Sequence, residues 1–256
     1  MKQLLRADFY RLLRSKFFYI LLAVAFALSL ISFLLYLAIV RLAEEDLFAL
    51  LLTAEDLQIL SFDGTVGYCA AIAAAIFICG DYSGGGMRNK IVAGCGRRKI
   101  FYSKLIVCSV VSVAVYLAMQ VVVFAFGGAA FGWQGVSGYD VACRFVAGLF
   151  MSLAYAAIFA SFALLLQKLS SALVLGVVCI FAVTLVTSLL AVAEQSLDMA
   201  AFEWLYKIFA HLTPMGHNSL IQTGAGNFWA LSAISAAWVV LAVVAVPICF
   251  KRCDIK

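Results

Sequence analysis

"GDYSGGGMRNKIVAGCGRRKIFYSK", residues 80–104, is the most polar stretch of an otherwise apolar chain. It sets six basic side chains (Arg88, Lys90, Arg97, Arg98, Lys99 and Lys104) against one acid, Asp81, and lies between uncharged runs at 64–80 and 105–126. Glycines among basic residues suit a phosphate cradle, a nucleic-acid patch or a loop on a membrane surface. The flanking runs favour the last, and the rest of the chain agrees. Of its 256 residues, 66% are hydrophobic and only 12% charged, with a mean hydropathy of +1.10. Soluble domains carry roughly 25% charged residues, so lipid is the expected solvent.

Six uncharged runs stand out, at 17–40, 64–80, 105–126, 145–166, 172–193 and 228–250. A helix crosses the hydrocarbon core with about 17–25 apolar residues, and each run falls in that range, 64–80 at its lower limit. The runs lack the alternation of barrel strands, and backbone groups in lipid must pair within their own segment. The fold class read here is therefore an all-α membrane protein of six transmembrane helices. The first run is too long for a signal-peptide core of about 7–15 residues and reads as an uncleaved span.

With six spans, the N-terminal piece, 81–104, 167–171 and the C-terminal piece share one face. That face holds fifteen of the 18 Lys and Arg: five before the first span, six in 81–104, one in 167–171 and three at the end. Only Arg41, Lys207 and the border residue Arg144 fall elsewhere, while acids such as Glu44, Glu45, Asp46, Glu55 and Asp56 gather on the opposite face. The positive-inside rule then places both termini and 81–104 in the cytoplasm of a multi-pass plasma-membrane protein. The chain reads as one transmembrane domain over 1–256, since the longest inter-span piece, 194–227, is too short for a separate globular domain.

Those pieces still have character. In residues 1–16, Leu5, Phe9, Leu12 and Leu13 share a helical face opposite Arg6, Arg11 and Arg14, which predicts a basic amphipathic helix on the cytoplasmic interface. In 194–227, Phe202, Leu205, Ile208, Phe209 and Leu212 recur at helical steps until Pro214 and Gly216, so an outer interfacial or re-entrant helix is expected, with Trp204 and Tyr206 at headgroup depth. Gly148, Ser152, Ala156 and Ala160 form a small-residue stripe that lets another helix approach, within the chain or from a second subunit.

Catalytic and cofactor motifs fare poorly. "GGGMRNK" and "GCGRRK" lack P-loop spacing and follow no strand, so no nucleotide site is read in 80–104. The basic residues are committed to a membrane face, which excludes nucleic acid as the natural partner. Eight scattered cysteines contain no CxxC pair, and no metal or other cofactor is expected. "GVSG", residues 135–138, resembles the rhomboid protease nucleophile motif, but Ser137 sits in a short outer loop and His211 and His217 lie outside the spans. Glu44–Glu45 resembles the glutamate pair of prenyl proteases, without intramembrane histidines to complete a metal site. No charge falls inside the six runs, which argues against a self-powered ion-coupled pump.

Six spans, both ends inside and no energy module resemble the permease subunit of a type-2 ABC exporter. Asp81, the run Gly84–Gly86 and "MRNKIVAGCGRRKIFYSK" through Lys104 are similar to that family's cytoplasmic segment after span two. "LLRADFYRLLRSKFFYI" resembles its N-terminal helix and "FKRCDIK" its basic tail, while Gly85–Gly86 departs from the commoner Gly-Thr. The resemblance implies a pathway built with a second permease chain, identical or different, and ATP hydrolysis on separate cytoplasmic ABC ATPase subunits. The chain itself would not be an enzyme. It further implies that 81–104 is a coupling segment contacting the ATPase, with Asp81, Arg88, Lys90, Arg97, Arg98, Lys99 and Lys104 as the contact set. A lipid, an amphipathic peptide or a hydrophobic compound is the expected cargo. The alternatives are a non-transporting membrane scaffold or sensor and, third, a rhomboid-like protease.

Overall fold

A computed structural model describes residues 2–42, 65–127, 137–197, 200–217, 220 and 227–252. Most of the acidic stretch read at 41–63, the Gly135–Val136 half of the GVSG motif and the terminal 253–256 lie outside the described residues. Among the described residues every regular element is a helix: α1 (Lys2–Arg14), α2 (Lys16–Leu42), α3 (Thr65–Ser83), α4 (Gly86–Val92), α5 (Arg97–Val122), α6 (Gly138–Leu166), α7 (Leu169–Leu197), α8 (Ala200–Leu212) and α9 (Phe228–Arg252). A short π turn, Val123–Gly127, continues α5. Six of these helices (α2, α3, α5, α6, α7 and α9) are long and apolar enough to cross a bilayer.

The helices overrun the apolar runs that announce them. α3 continues past residue 80 to Ser83, α5 starts at Arg97 rather than 105, and α6 starts at Gly138 rather than 145. The expectation that no span holds a charge is corrected accordingly, because α3 contains Asp81, α5 contains Lys104 and α6 contains Asp140 and Arg144. Helical backbone does not stop where hydrophobicity stops. It stops where side chains and backbone cease to find partners, and at the ends of α3 and α5 Asp81 and Lys104 find them in ion pairs.

In lipid there is no hydrophobic drive between apolar helices, so close packing of small residues takes over. α3 and α6 are built for this. Ala70, Ala71, Ala73, Ala74 and Ala75 of α3 are buried, as are Gly148, Ser152, Ala156 and Ala160 of α6. The stripe of α6 is therefore consumed inside the chain: the Ser112 hydroxyl of α5 donates to the Ser152 carbonyl at 2.8 Å. Tyr155 and Phe159, stacked with ring centroids 6.2 Å apart, fill the remaining space beside Gly67 and Gly176. Being enclosed also explains how α3 tolerates its short apolar run. The peripheral helices α2, α7 and α9 turn large side chains such as Leu35, Phe181, Leu189, Val240 and Ile248 outward, as a lipid-facing surface requires.

The ends of the bundle are distinguishable. The Tyr82 hydroxyl at the end of α3 donates to the Leu164 carbonyl near the end of α6 at 3.1 Å. At the opposite end, Trp229 at the start of α9 donates through Nε1 to the Tyr139 hydroxyl at the start of α6, at 3.2 Å. The basic stretches in α1, α4, early α5 and the α6–α7 corner consequently meet at one end. Ala160→Leu tests the packing of α6. Overfilling so tight a contact costs about 1–3 kcal/mol, so the monomer in detergent should unfold at a lower temperature. A change of oligomeric state with an unaltered monomer transition would contradict internal packing.

Candidate functional site

α1 runs into α2 with only Ser15 between them, and it turns Leu5, Phe9 and Leu12 inward and Arg6, Arg11 and Arg14 outward, with Leu13 departing from the expected apolar face. Leu12 and Asp8 are its buried residues, one turn apart, and Tyr10 and Leu13 are exposed. Asp8, one turn N-terminal to Leu12, thus points into the protein. Its carboxylate accepts from Lys90 Nζ at 2.7 Å, Ser103 Oγ at 2.7 Å and Lys104 Nζ at 3.2 Å. A second carboxylate lies beside it. Asp81 accepts from Lys104 Nζ at 2.5 Å, Lys90 Nζ at 2.9 Å and the Arg11 guanidinium.

The two lysines each bridge both acids, and the result is one ionic cluster tying α1, α3, α4 and α5 together. Asp8, Asp81 and Lys104 are 5%, 1% and 4% exposed. Charges withdrawn from water this far are tolerated only when paired and hydrogen-bonded, and each carboxylate here has three donors. Burial alone would raise the Asp8 carboxyl. Lys104, Lys90 and Ser103 outweigh it and hold the group below its ordinary 3.8.

The glycines shape the other side of the cluster. Gly85 caps α4 with φ of 69° and Gly94 follows the helix with φ of 81°, both in the left-handed region that favours glycine. They let the chain reverse twice within a few residues, so α4 is a seven-residue helix lying between α3 and α5. Met87 and Lys90 face inward; Arg88, Asn89 and Val92 face out, with Val92 81% exposed. Arg98 and Lys99 at the start of α5 are also exposed, and Arg97 is half-buried.

The seven residues read as one contact set therefore divide. Asp81, Lys90 and Lys104 hold the segment to the bundle, with Asp81 and Lys104 buried and Lys90 partly so. Arg88, Arg98 and Lys99 face outward. Asp8 was missed altogether. The available signal was its isolation: it is the only acid in α1, and its spacing to Leu12 puts it on the inward face.

At the opposite end, α8 is followed by a turn at Thr213–Gly216 that carries His217 into the interior. The apolar stripe of α8 faces away from the protein, with Leu205, Ile208, Phe209 and Leu212 exposed, while Ala210 is fully buried. Gly216 is required at the turn, because a Cβ there would lie 2.7 Å from the Phe209 carbonyl oxygen. His217 Nε2 lies 2.6 Å from the His211 carbonyl oxygen, which can only accept. Nε2 therefore carries the proton, and Nδ1 accepts from the Ser235 hydroxyl at 3.1 Å. Trp238 Nε1 donates to the next carbonyl, Leu212, at 2.8 Å. Two orphan carbonyls at the end of α8 are thus satisfied by side chains outside that helix. His211 Nδ1 in turn faces the Lys207 carbonyl at 2.8 Å. Ser137 is the residue before α6, exposed, and among the described residues no histidine pairs with it.

No protein-family model matches the chain, and no curated protein is similar to it at significance.

Two outcomes follow. A carboxyl held below its unfolded value contributes stability above that value and loses it as pH falls through the folded one. Asp8→Asn should cost about 3–5 kcal/mol at neutral pH, as for breaking a buried ion pair. It should also flatten the loss of stability below pH 3.8 in an acid titration followed by circular dichroism; an unchanged acid limb would contradict the assignment. Burial likewise lowers His217 from its ordinary 6.5, so the unfolded state takes up its proton first and stability falls as pH drops below that value. Protection factors of α8 amides, which correct for the slower intrinsic exchange at lower pH, should fall on acidification through that range, and His217→Gln should remove the dependence.

Proposed function

We propose that this chain is the membrane-spanning permease subunit of an ATP-driven ABC transporter, an exporter whose hydrolysis resides on separate cytoplasmic ATPase subunits. The observation that carries the reading is α4. It is a short helix beyond the apolar cores of the spans it connects, pinned to the bundle on one side and presenting Arg88, Asn89 and Val92 on the other. An exposed Val92, with exposed Arg88 on the same helix and exposed Arg98 and Lys99 at the start of α5, fits a partner groove with an apolar floor and acidic walls. The ionic cluster supplies what such docking needs mechanically, because Lys90 joins α4 to α1 through Asp8 and to α3 through Asp81. The basic end is then the cytoplasmic end, both termini included, in agreement with the positive-inside rule, and the membrane is the plasma membrane.

The cargo in this reading is a lipid, an amphipathic peptide or a hydrophobic compound, moved along a pathway completed by a second permease chain. The two buried carboxylates at the basic end are each paired with cations, and the walls the helices turn outward are apolar. Affinity purification of the tagged chain from its native membrane, followed by mass spectrometry, should recover an ABC ATPase. Reversing the exposed pair with Arg88→Glu and Arg98→Glu should weaken its binding on the order of 100-fold, since like charges facing each other cost several kcal/mol. The chain's thermal transition should not move. Recovery without any ATPase, or full ATPase coupling in the reversed variant, would overturn the reading in favour of a non-transporting scaffold or sensor.

A further inference from the structure

Five charged groups meet at the base of α1, α3, α4 and α5, three cationic and two anionic, so their own charges leave a surplus of one positive charge. That surplus has an outlet. The acids and Lys104 are buried and Lys90 nearly so, whereas the Arg11 side chain is 57% exposed while its guanidinium holds Asp81. Arg11 lies on a helix joined to a bilayer span by one residue, which keeps it at the membrane surface. Around it the exposed side of α1 carries Arg6, Tyr10, Leu13 and Arg14, with Arg14 donating to the Tyr10 hydroxyl at 2.8 Å. Since Asp8 is the only acid of α1 and is buried, the exposed side bears positive charge alone. Guanidinium groups beside a tyrosine and a leucine suit the headgroup layer of a bilayer, where charge and apolar surface are both accommodated.

We propose that Arg11, with Arg14 one turn further on, binds the phosphate of an anionic phospholipid headgroup, and that occupancy of this site is passed to α4 through Asp81. The linkage is competitive. A phosphate that engages Arg11 draws it from Asp81, leaving two carboxylates against Lys90 and Lys104 in a charge-balanced set. Asp81 then no longer divides its attraction with Arg11, and Lys90 holds α4 to the bundle more firmly. Bilayer charge thereby sets the order of α4. This deepens the permease reading by regulating its docking helix and rests on that reading for its consequence, but the linkage itself involves no ATPase.

The test uses the purified full chain in nanodiscs of neutral phosphatidylcholine, with and without phosphatidylglycerol, and follows amide exchange in residues 2–14 and 86–92 by mass spectrometry. Phosphatidylglycerol should slow exchange several-fold in both segments. In Arg11→Gln the α4 segment should lose its lipid dependence, while Arg11→Lys should restore part of it. Arg14→Gln, which leaves the ionic cluster intact, should shift the response to higher phosphatidylglycerol content, and it decides the matter if Arg11→Gln fails to fold. Exchange in α4 that ignores lipid charge in the wild type, or that keeps its dependence in Arg11→Gln, would overturn the linkage. An equal effect from inorganic phosphate in neutral discs would overturn the headgroup as the ligand. None of these results depends on recovering an ATPase, so failure here and failure of the permease reading are distinguishable.

Discussion

Two carboxylates buried at the end of a helical bundle impose a condition that four helices must meet together. Asp8 and Asp81 lie close enough to share Lys90 and Lys104, and neither could remain ionised there without them. Removing a charge from water costs several kcal/mol even after relaxation, so every donor in the set must stay in register. That condition explains why α3 runs on through Asp81 and why α5 starts before its apolar run. It also explains why α1 turns its middle residue inward. Without the cluster, the same charges would be solvated at the surface, where single ion pairs contribute about 0–1 kcal/mol, and α1 and α4 would be held to the bundle by apolar contacts alone, chiefly those of Leu12 and Met87.

The rest of the bundle obeys a different rule. Between its two ends the chain has few polar groups, and helix association rests on shape. α3 and α6 approach closely because alanine, glycine and serine line their contact faces, and tyrosine and phenylalanine fill what the small residues leave open. The side-chain hydrogen bonds inside this region run largely to main-chain carbonyls, as with Ser112 to Ser152 and Tyr116 to Phe145. At the far end the same device recurs, with His217 and Trp238 donating to the last carbonyls of α8.

How much of this was legible in the residues depends on the physics involved. Span positions follow from transfer of apolar side chains into lipid, a local and additive property, so six runs sufficed to find six helices. Helix ends depend on whether charges find partners, which is a property of the assembled structure; hence Asp81 and Lys104 looked like loop charges. Counting charges by face grouped the basic stretches at one end, but a count treats each charge as facing solvent. Asp8 shows the cost of that assumption, since a lone acid on a basic helix carries a pairing signal that a tally cancels. The stripe at Gly148, Ser152, Ala156 and Ala160 was visible as a close-approach surface, but which helix approaches it is decided only by the fold.

The division within 81–104 bears on how a short helix can transmit force. A seven-residue helix has no stability of its own, since nucleation is unfavourable and peptides shorter than about 12–15 residues are marginal in water. If α4 were held only by its glycine reversals at Gly85 and Gly94, a push on Val92 or Arg88 would be absorbed by the turns, which are the most permissive backbone in the segment. Lys90 changes that. Its ammonium is held by carboxylates on α1 and α3 at once, and Lys104 on α5 grips the same two carboxylates. Displacing α4 while leaving the others in place would therefore strand buried charge, at a cost far above the bending of a turn. The lower-energy response is for α1, α4 and the ends of α3 and α5 to shift as one body, with the turns isolating them from nothing. The glycines set where α4 lies, and the buried ions determine what moves with it.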